Sequence, residues 1–217
     1  ANVGISGEFT GAYIFVVALH VINLGVVTRL RIPRSLSEES SESVLRGLWT
    51  AIGFALHSRT LLGLLYITIV MNTLAFPVQQ FIPAIGRDHL DVGVALVGLL
   101  VAAEGIGQLS GAGLIALKRN VRYHGRIFAL GSVSICVITF IWVWSPWYAV
   151  TFALLAIGGI GQSGFGTMQS AVTLLASPPE LRGRIMGLLS FCIGVGTPIG
   201  GLEMGAIAAM ISIQGAI

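Results

Sequence analysis

Long apolar runs separated by short polar joints make up most of the chain. Six runs, residues 9–27, 61–83, 92–117, 127–144, 148–176 and 185–211, have at least the roughly 17 residues that a helix needs to cross a bilayer. Each predicts a membrane-spanning helix. The last two form a hairpin around Ser177-Pro178-Pro179-Glu180-Leu181-Arg182-Gly183-Arg184. Its two prolines stop a helix, and each arginine would cost about 2.5–3.5 kcal/mol at the bilayer centre, so this turn belongs in water. The joint after the first run is longer and uneven. Residues 35–43 are serines and glutamates with a single leucine, too polar to fold alone, and read as a flexible linker. Beyond them Leu45, Leu48, Trp49, Ile52 and Leu56 recur at helical spacing, with Arg46 and Thr50 off the stripe. That pattern predicts an amphipathic helix, either lying on the inner membrane face or packed against the cytoplasmic ends of the bundle.

The charges fix an orientation. Arg29, Arg31, Arg34, Arg46 and Arg59 fall in the first joint, Lys118, Arg119, Arg122 and Arg126 in the third, and Arg182 and Arg184 in the fifth; Arg87 alone is left for the second. Alternation of this kind is what positive-inside topology produces, with Ala1 and Arg87 outside and the basic joints in the cytoplasm.

Composition agrees. With 55% hydrophobic residues, 10% charged residues and a mean hydropathy of +0.90, the chain has too little polar surface to coat a soluble globule. The formal charge of +3 is spent on topology and does not point to nucleic acid. The 29 glycines, set within apolar runs, point to close helix packing. Cys136 and Cys192 lie inside such runs and read as small hydrophobes. The sequence has no metal-ligand cluster, Walker loop or dinucleotide fingerprint, so no cofactor is expected and any transport would draw on an ion gradient.

Glu104 is the most informative single residue. Counted from Val92 it lies roughly 18 Å into its span, near the midplane. An ionisable group there predicts either a proton- or cation-binding site on a cavity, or a protonated carboxyl that bonds a neighbouring helix. Glu203 lies about 27 Å along its span, near the outer interface, and reads as solvated or packed. His20 is expected to bond a backbone carbonyl. Gln162 and Gln169, seven apart, share a helix face and would bond across the bundle or line a cavity. Gln79 and Gln80 follow Pro77 and would present polar atoms at a kink. Gly107 with Gly111, Gly196 with Gly200, and Gly201 with Gly205 are small-xxx-small steps for close or sliding contacts. Gly194, Gly196 and Pro198 weaken one helix near its middle.

Two resemblances bear on function. Gly161-Gln162-Ser163-Gly164 is similar to the nucleophile motif of rhomboid intramembrane proteases, but none of His20, His57, His89 and His124 follows Ser163 to supply the later-helix base, so an enzyme is not expected. The turn Pro178-Pro179-Glu180-Leu181-Arg182-Gly183-Arg184, followed by Gly187 and by Gly196-Thr197-Pro198-Ile199-Gly200-Gly201, resembles helices ten and eleven of the major facilitator superfamily, closest to the enterobactin-exporter branch. Gly111, Gly113, Arg119, Arg122 and Arg126 resemble that family's glycine-and-basic loop motif without its acidic residue.

The resemblance implies an all-α, polytopic membrane protein with six transmembrane helices and a partial major-facilitator fold. Residues 1–29 would be the last helix of the N-terminal half, 30–59 the cytoplasmic linker, and 60–217 the C-terminal bundle lacking its last helix. The chain would then be a fragment of a longer transporter, partnered by its missing N-terminal half, the lipid bilayer and a small-molecule substrate. It implies proton-coupled antiport, with efflux of a siderophore or drug across a bacterial inner membrane. Glu104, Gln162, Gln169 and Gln79 are the substrate- or proton-binding candidates. Gly107, Gly111, Pro178, Arg182, Gly183, Arg184, Gly196, Pro198 and Gly200 are the packing and conformational ones. The alternative is a six-span structural or assembly protein that transports nothing.

Overall fold

The computed structural model describes residues 10–29, 44–118 and 121–210, and every regular element among them is helical. The chain divides into two units, residues 1–43 and 44–217. The described part of the first is a helix, α1 (Thr10–Arg29), in which His20 Nδ1 lies 2.8 Å from the Val16 carbonyl oxygen. The helix has 20 residues, about the length of an upright span, and Ile14–Arg29 is its apolar stretch among the described residues. The expected linker at 35–43, with Arg31 and Arg34, and Arg119 of the third joint lie outside the described residues.

The second unit holds the five helices long and apolar enough to cross a membrane. With the apolar helix of the first unit they make up the all-helical, polytopic architecture expected from the six apolar runs. The unit opens with α2 (Val44–His57), which breaks at Ser58, whose Oγ caps α3 (Arg59–Val70) by accepting from Leu61 N at 3.5 Å. α3 continues through a π-helical stretch, Met71–Ala75, and a 3-10 stretch, Phe76–Phe81, into α4 (Ile82–Asp88), and the whole acts as one span. Pro77 explains the irregularity. It has no N–H for the Thr73 carbonyl one turn back, and its ring would collide there in a regular helix, so the chain widens before it. Asn72 bonds within the altered turn, donating from Nδ2 to the Thr68 carbonyl at 2.8 Å. The remaining spans are α5 (Val94–Leu117), α6 (His124–Val143), α7 (Tyr148–Ala176) and α8 (Arg182–Met210).

α8 begins three residues earlier than the apolar pattern suggests. After Ser177, Pro178 leads into a 3-10 turn, Pro179–Leu181, and Arg182, Gly183 and Arg184 already belong to the first turn of α8. The arginines therefore sit on a helix end and not in an open loop. Helix begins here because Pro179 tolerates a first helical position, where its missing N–H costs nothing.

α2 packs in a way the large apolar residues do not suggest. Gly47, Ala51 and Ala55, spaced four apart, are buried, and the two alanines join the core formed with Leu61, Leu64 and Ile185. Gly47 lies over the Arg184 guanidinium: a Cβ there would stand 2.8 Å from its Cζ. Leu48, Trp49 and Leu56 stay exposed. The helix thus docks on the bundle through small residues, the packed placement of the two expected, and leaves its bulky stripe exposed.

The buried apolar residues form two clusters at different heights. One joins Met71, Phe128, Ile135, Phe165, Met168, Leu189 and Cys192; the other joins Val78, Ile82, Leu100, Ala103, Trp142, Leu155 and Met204. On α5, Glu104 and Gln108 lie between Ala103 of the second cluster and Ile115 beside the first, and on α7 Gln162 lies between Leu155 and Phe165. Outward faces carry exposed leucine, valine, isoleucine and phenylalanine, the surface expected against lipid, and Trp144 and Trp147 stand exposed at the α6–α7 turn, where an aromatic belt would lie.

Candidate functional site: a glutamine-lined cavity between the two cores

α7 is held against α5 almost backbone to backbone. A Cβ added to Gly107 would run into the Ala156 carbonyl, and one added to Gly159 into the Glu104 carbonyl. At Gly111 it would lie 2.5 Å from Ser163 Oγ and 2.9 Å from the Ile160 carbonyl oxygen. Only glycine allows this approach, and the approach sets the site: with the axes so close, polar side chains on the two helices meet directly.

They meet as a chain of carboxamides. Gln108 Nε2 donates to Glu104 Oε1 at 3.2 Å and to Gln162 Oε1 at 2.9 Å. Gln162 and Gln79 then pair reciprocally, Gln79 Nε2 donating to Gln162 Oε1 at 3.1 Å and Gln162 Nε2 to Gln79 Oε1 at 3.4 Å. Three segments, α5, α7 and the 3-10 stretch after α3, are thereby joined at one level. A second set lies beside the first. Gln169 Nε2 donates to Thr68 Oγ1 at 2.6 Å, and Thr197 Oγ1 to Asn72 Oδ1 at 3.3 Å.

Apart from Glu104 and Thr68, these side chains line a cavity of about 690 Å³. Six carboxamides face it, from Asn72, Gln79, Gln80, Gln108, Gln162 and Gln169, together with Thr197, Phe76 and Phe165, and none of the residues lining it is charged. Phe76 and Phe165 meet edge to face, ring centroids 5.5 Å apart, and give the cavity an apolar wall. The size suits a small organic ligand, and the lining offers donors and acceptors without fixed charge.

Glu104 is not on that cavity. It lines a separate space of about 20 Å³, room for about one water molecule, with Gln79, Ile138, Thr139, Trp142, Leu155 and Gly158. Gln108 stands between it and the larger cavity. Gln79, Gln162 and Gln169 do reach the large cavity, so three of the four binding candidates share one site and the fourth touches it through hydrogen bonds. Gln108, Asn72, Thr68 and Thr197 were missed by sequence reasoning. Gln108 carried a usable signal, being four residues after Glu104 and so on the same helix face.

The packing candidates divide. Gly107 and Gly111 meet α7. Gly196 and Gly200 meet the π-helical stretch, where a Cβ on Gly196 would lie 2.8 Å from Asn72 Cβ and one on Gly200 2.5 Å from Pro77 Cγ. The expected step from Gly201 to Gly205 is corrected: Gly201 has only Gln80 near it, at 3.6 Å, and Gly205 has no neighbour within 4 Å. Pro198 lies inside α8, which continues through it. Arg182 Nε donates to the Ser177 carbonyl at 3.4 Å, Gly183 has no neighbour within 4 Å, and Arg184 lies under Gly47. Glu203 is exposed. Ser163 Oγ is buried without a hydrogen-bond partner, beside Gly111.

Neither the curated proteins nor the solved structures gave a match. A family model for the Major Facilitator Superfamily matches residues 2–201, nearly the whole chain, and members of that family are transporters and not enzymes. The apolar spans are consistent with that match, and the chain belongs to the major facilitator superfamily of membrane transporters.

Proposed function

We propose that the chain is the C-terminal part of a proton-coupled exporter of a small, uncharged or weakly charged organic molecule, such as a siderophore or a drug. Residues 1–29 would be the last helix of the N-terminal half, 30–59 the cytoplasmic linker, and 60–217 the C-terminal bundle, whose cavity would be one wall of a site shared with the missing half. The observation that carries the reading is the pairing of a ligand-sized, charge-free cavity with an ionisable residue, Glu104, hydrogen-bonded to its wall. A charged substrate group would find no counter-ion on this wall, whereas hydroxyl, amide and catechol groups would find partners in the carboxamides. Proton coupling is supported by the position of Glu104, because ionisable groups deep in a span mark ion or proton pathways.

The Pro178 to Arg184 turn supports the enterobactin-exporter branch, and with it a bacterial inner membrane. The basic joints support a cytoplasmic position for Arg122, Arg126, Arg182 and Arg184, and Ala1 outside. The test is transport by the full-length protein in proteoliposomes, with an imposed pH gradient and a panel of radiolabelled catecholates, hydroxamates and neutral amphiphiles. Accumulation of at least one compound that a protonophore abolishes is expected; accumulation indifferent to the protonophore would overturn the coupling.

A further inference from the structure

We infer that Gln108, Gln162 and Gln79 form a two-state switch that converts protonation of Glu104 into a reversal of donors and acceptors on the cavity wall. The inference rests on the reading of Glu104 as the proton site. Gln108 donates at both of its contacts, and Gln162 and Gln79 pair reciprocally. The N–H groups of Gln108 are both used, one toward Glu104 and one toward Gln162 Oε1, and Gln162 Oε1 accepts from Gln79 as well. This arrangement presents donors to Glu104, which suits a carboxylate, an acceptor only.

A neutral carboxyl brings an O–H that needs an acceptor. The side chains around it supply none that is titratable or charged: from the 3-10 stretch comes Gln79, from α6 Ile138, Thr139 and Trp142, and from α7 Leu155 and Gly158. Gln108 can provide the acceptor by a half-turn of its terminal amide. Its oxygen then occupies the place of Nε2, accepting from Glu104 and requiring a donor from Gln162. Gln162 must turn in the same way, and its nitrogen then faces both Gln108 and Gln79. Gln79 turns in its turn, and the reciprocal pair is restored with each bond reversed. Every bond of the first state has a counterpart in the second, so both states are fully satisfied. A state with only one amide turned is not, because it sets oxygen against oxygen or N–H against N–H.

The proton itself stays on Glu104, and what passes along the chain is orientation. Because Gln108, Gln162 and Gln79 all line the large cavity, the pattern of donors and acceptors met by a ligand there differs between the two states. Gln108 and Gln162 are then positioning residues for proton coupling. By linkage, a ligand that prefers one sense of the chain must shift the protonation of Glu104 by the same factor that protonation shifts its binding.

The test is infrared difference spectroscopy of the full-length protein between acidic and alkaline buffer, with glutamine side-chain carbonyls labelled with carbon-13. A carboxyl band that disappears in Glu104→Gln is expected to titrate together with a labelled carboxamide band at one midpoint. Gln108→Leu should keep the carboxyl band and remove the carboxamide response, and Gln162→Leu, on the other helix, should reduce that response to the part Gln108 contributes. A titrating carboxyl band without any carboxamide change, or a carboxamide change undiminished in both glutamine variants, would overturn the switch alone. A protein whose carboxyl band never titrates would overturn both the switch and the proton-site reading beneath it.

Discussion

Gly200 of α8 lies directly against the main-chain carbonyl of Thr73, the carbonyl that Pro77 cannot serve. Pro77 widens the preceding turn into a π-helical stretch, and the absence of a side chain at Gly200 lets α8 close over the exposed backbone there. The two irregularities depend on each other. Removing either one leaves the other without its partner.

Gly200→Ala should therefore be costly even though it adds a single methyl, because that methyl collides with backbone and not with a flexible side chain. Overpacking of this kind costs about 1–3 kcal/mol. Gly205→Ala, with no neighbour within 4 Å, should fall within about 0.5 kcal/mol of the parent. Thermal unfolding of the two variants in detergent separates them. Gly200→Leu should insert normally yet fail in transport at matched expression, and wild-type transport by it would show that this face of α8 does not pack tightly.

A second prediction is topological. Arg87 and Arg182 are both exposed, at opposite ends of their spans. In a background lacking Cys136 and Cys192, an impermeant thiol reagent added to intact cells should modify Arg87→Cys and spare Arg182→Cys. The reverse labelling would invert the whole bundle.

The amphipathic helix gives a third. Ala51 is fully buried and Trp49 is 70% exposed. Ala51→Leu should loosen α2 from α8, with a cost of about 1–3 kcal/mol from overpacking. Trp49→Ser should leave unfolding in detergent within about 0.5 kcal/mol of the parent. Its place should be read instead in lipid: with Trp142, Trp144 and Trp147 replaced by phenylalanine, the fluorescence of Trp49 should be quenched by brominated acyl chains.

Which features were legible follows from what each depends on. Span positions come from apolar length alone, and residues 148–176 agree to the residue with Tyr148–Ala176. The docking face of α2 was not legible, because its large apolar stripe suits lipid and a packed contact equally. Ala51 and Ala55 bury by closeness, and the large Leu48 and Trp49 point away. Pro77 announced a disturbance in its span, but the closure of α8 over the widened turn at Gly196 and Gly200 is a contact between distant residues that the local pattern does not give. The same holds at the cavity. Glu104 stands out in any apolar run, yet its separation from the large cavity is fixed by the crossing at Gly107 and Gly159, a contact between distant residues that no local pattern encodes.

The last prediction concerns Glu104. Its Oε1 accepts from Gln108, and the surrounding Ile138, Trp142 and Leu155 offer little to solvate a charge. If the residue gains and loses a proton in each cycle, Glu104→Gln preserves the size and the acceptor facing Gln108 while fixing the neutral form. Uptake driven by a pH gradient should then collapse, and substrate exchange without a gradient should survive with its pH dependence lost. Were the carboxyl a permanently neutral link between helices, glutamine would mimic it and transport would hardly change. Glu104→Leu separates the structural part. It removes the hydrogen bond from Gln108, one turn on in the same helix, and the cost should not exceed the range found for bonds between membrane helices, about 0.6 kcal/mol on average and up to ~1.7. Stability within that range for Glu104→Leu, with gradient-driven transport lost in Glu104→Gln, is the expected pair of results. Full gradient-driven transport by Glu104→Gln with an unchanged pH profile would remove Glu104 from the coupling mechanism, and the carboxamide chain would then serve only to join α5, α7 and the segment after α3.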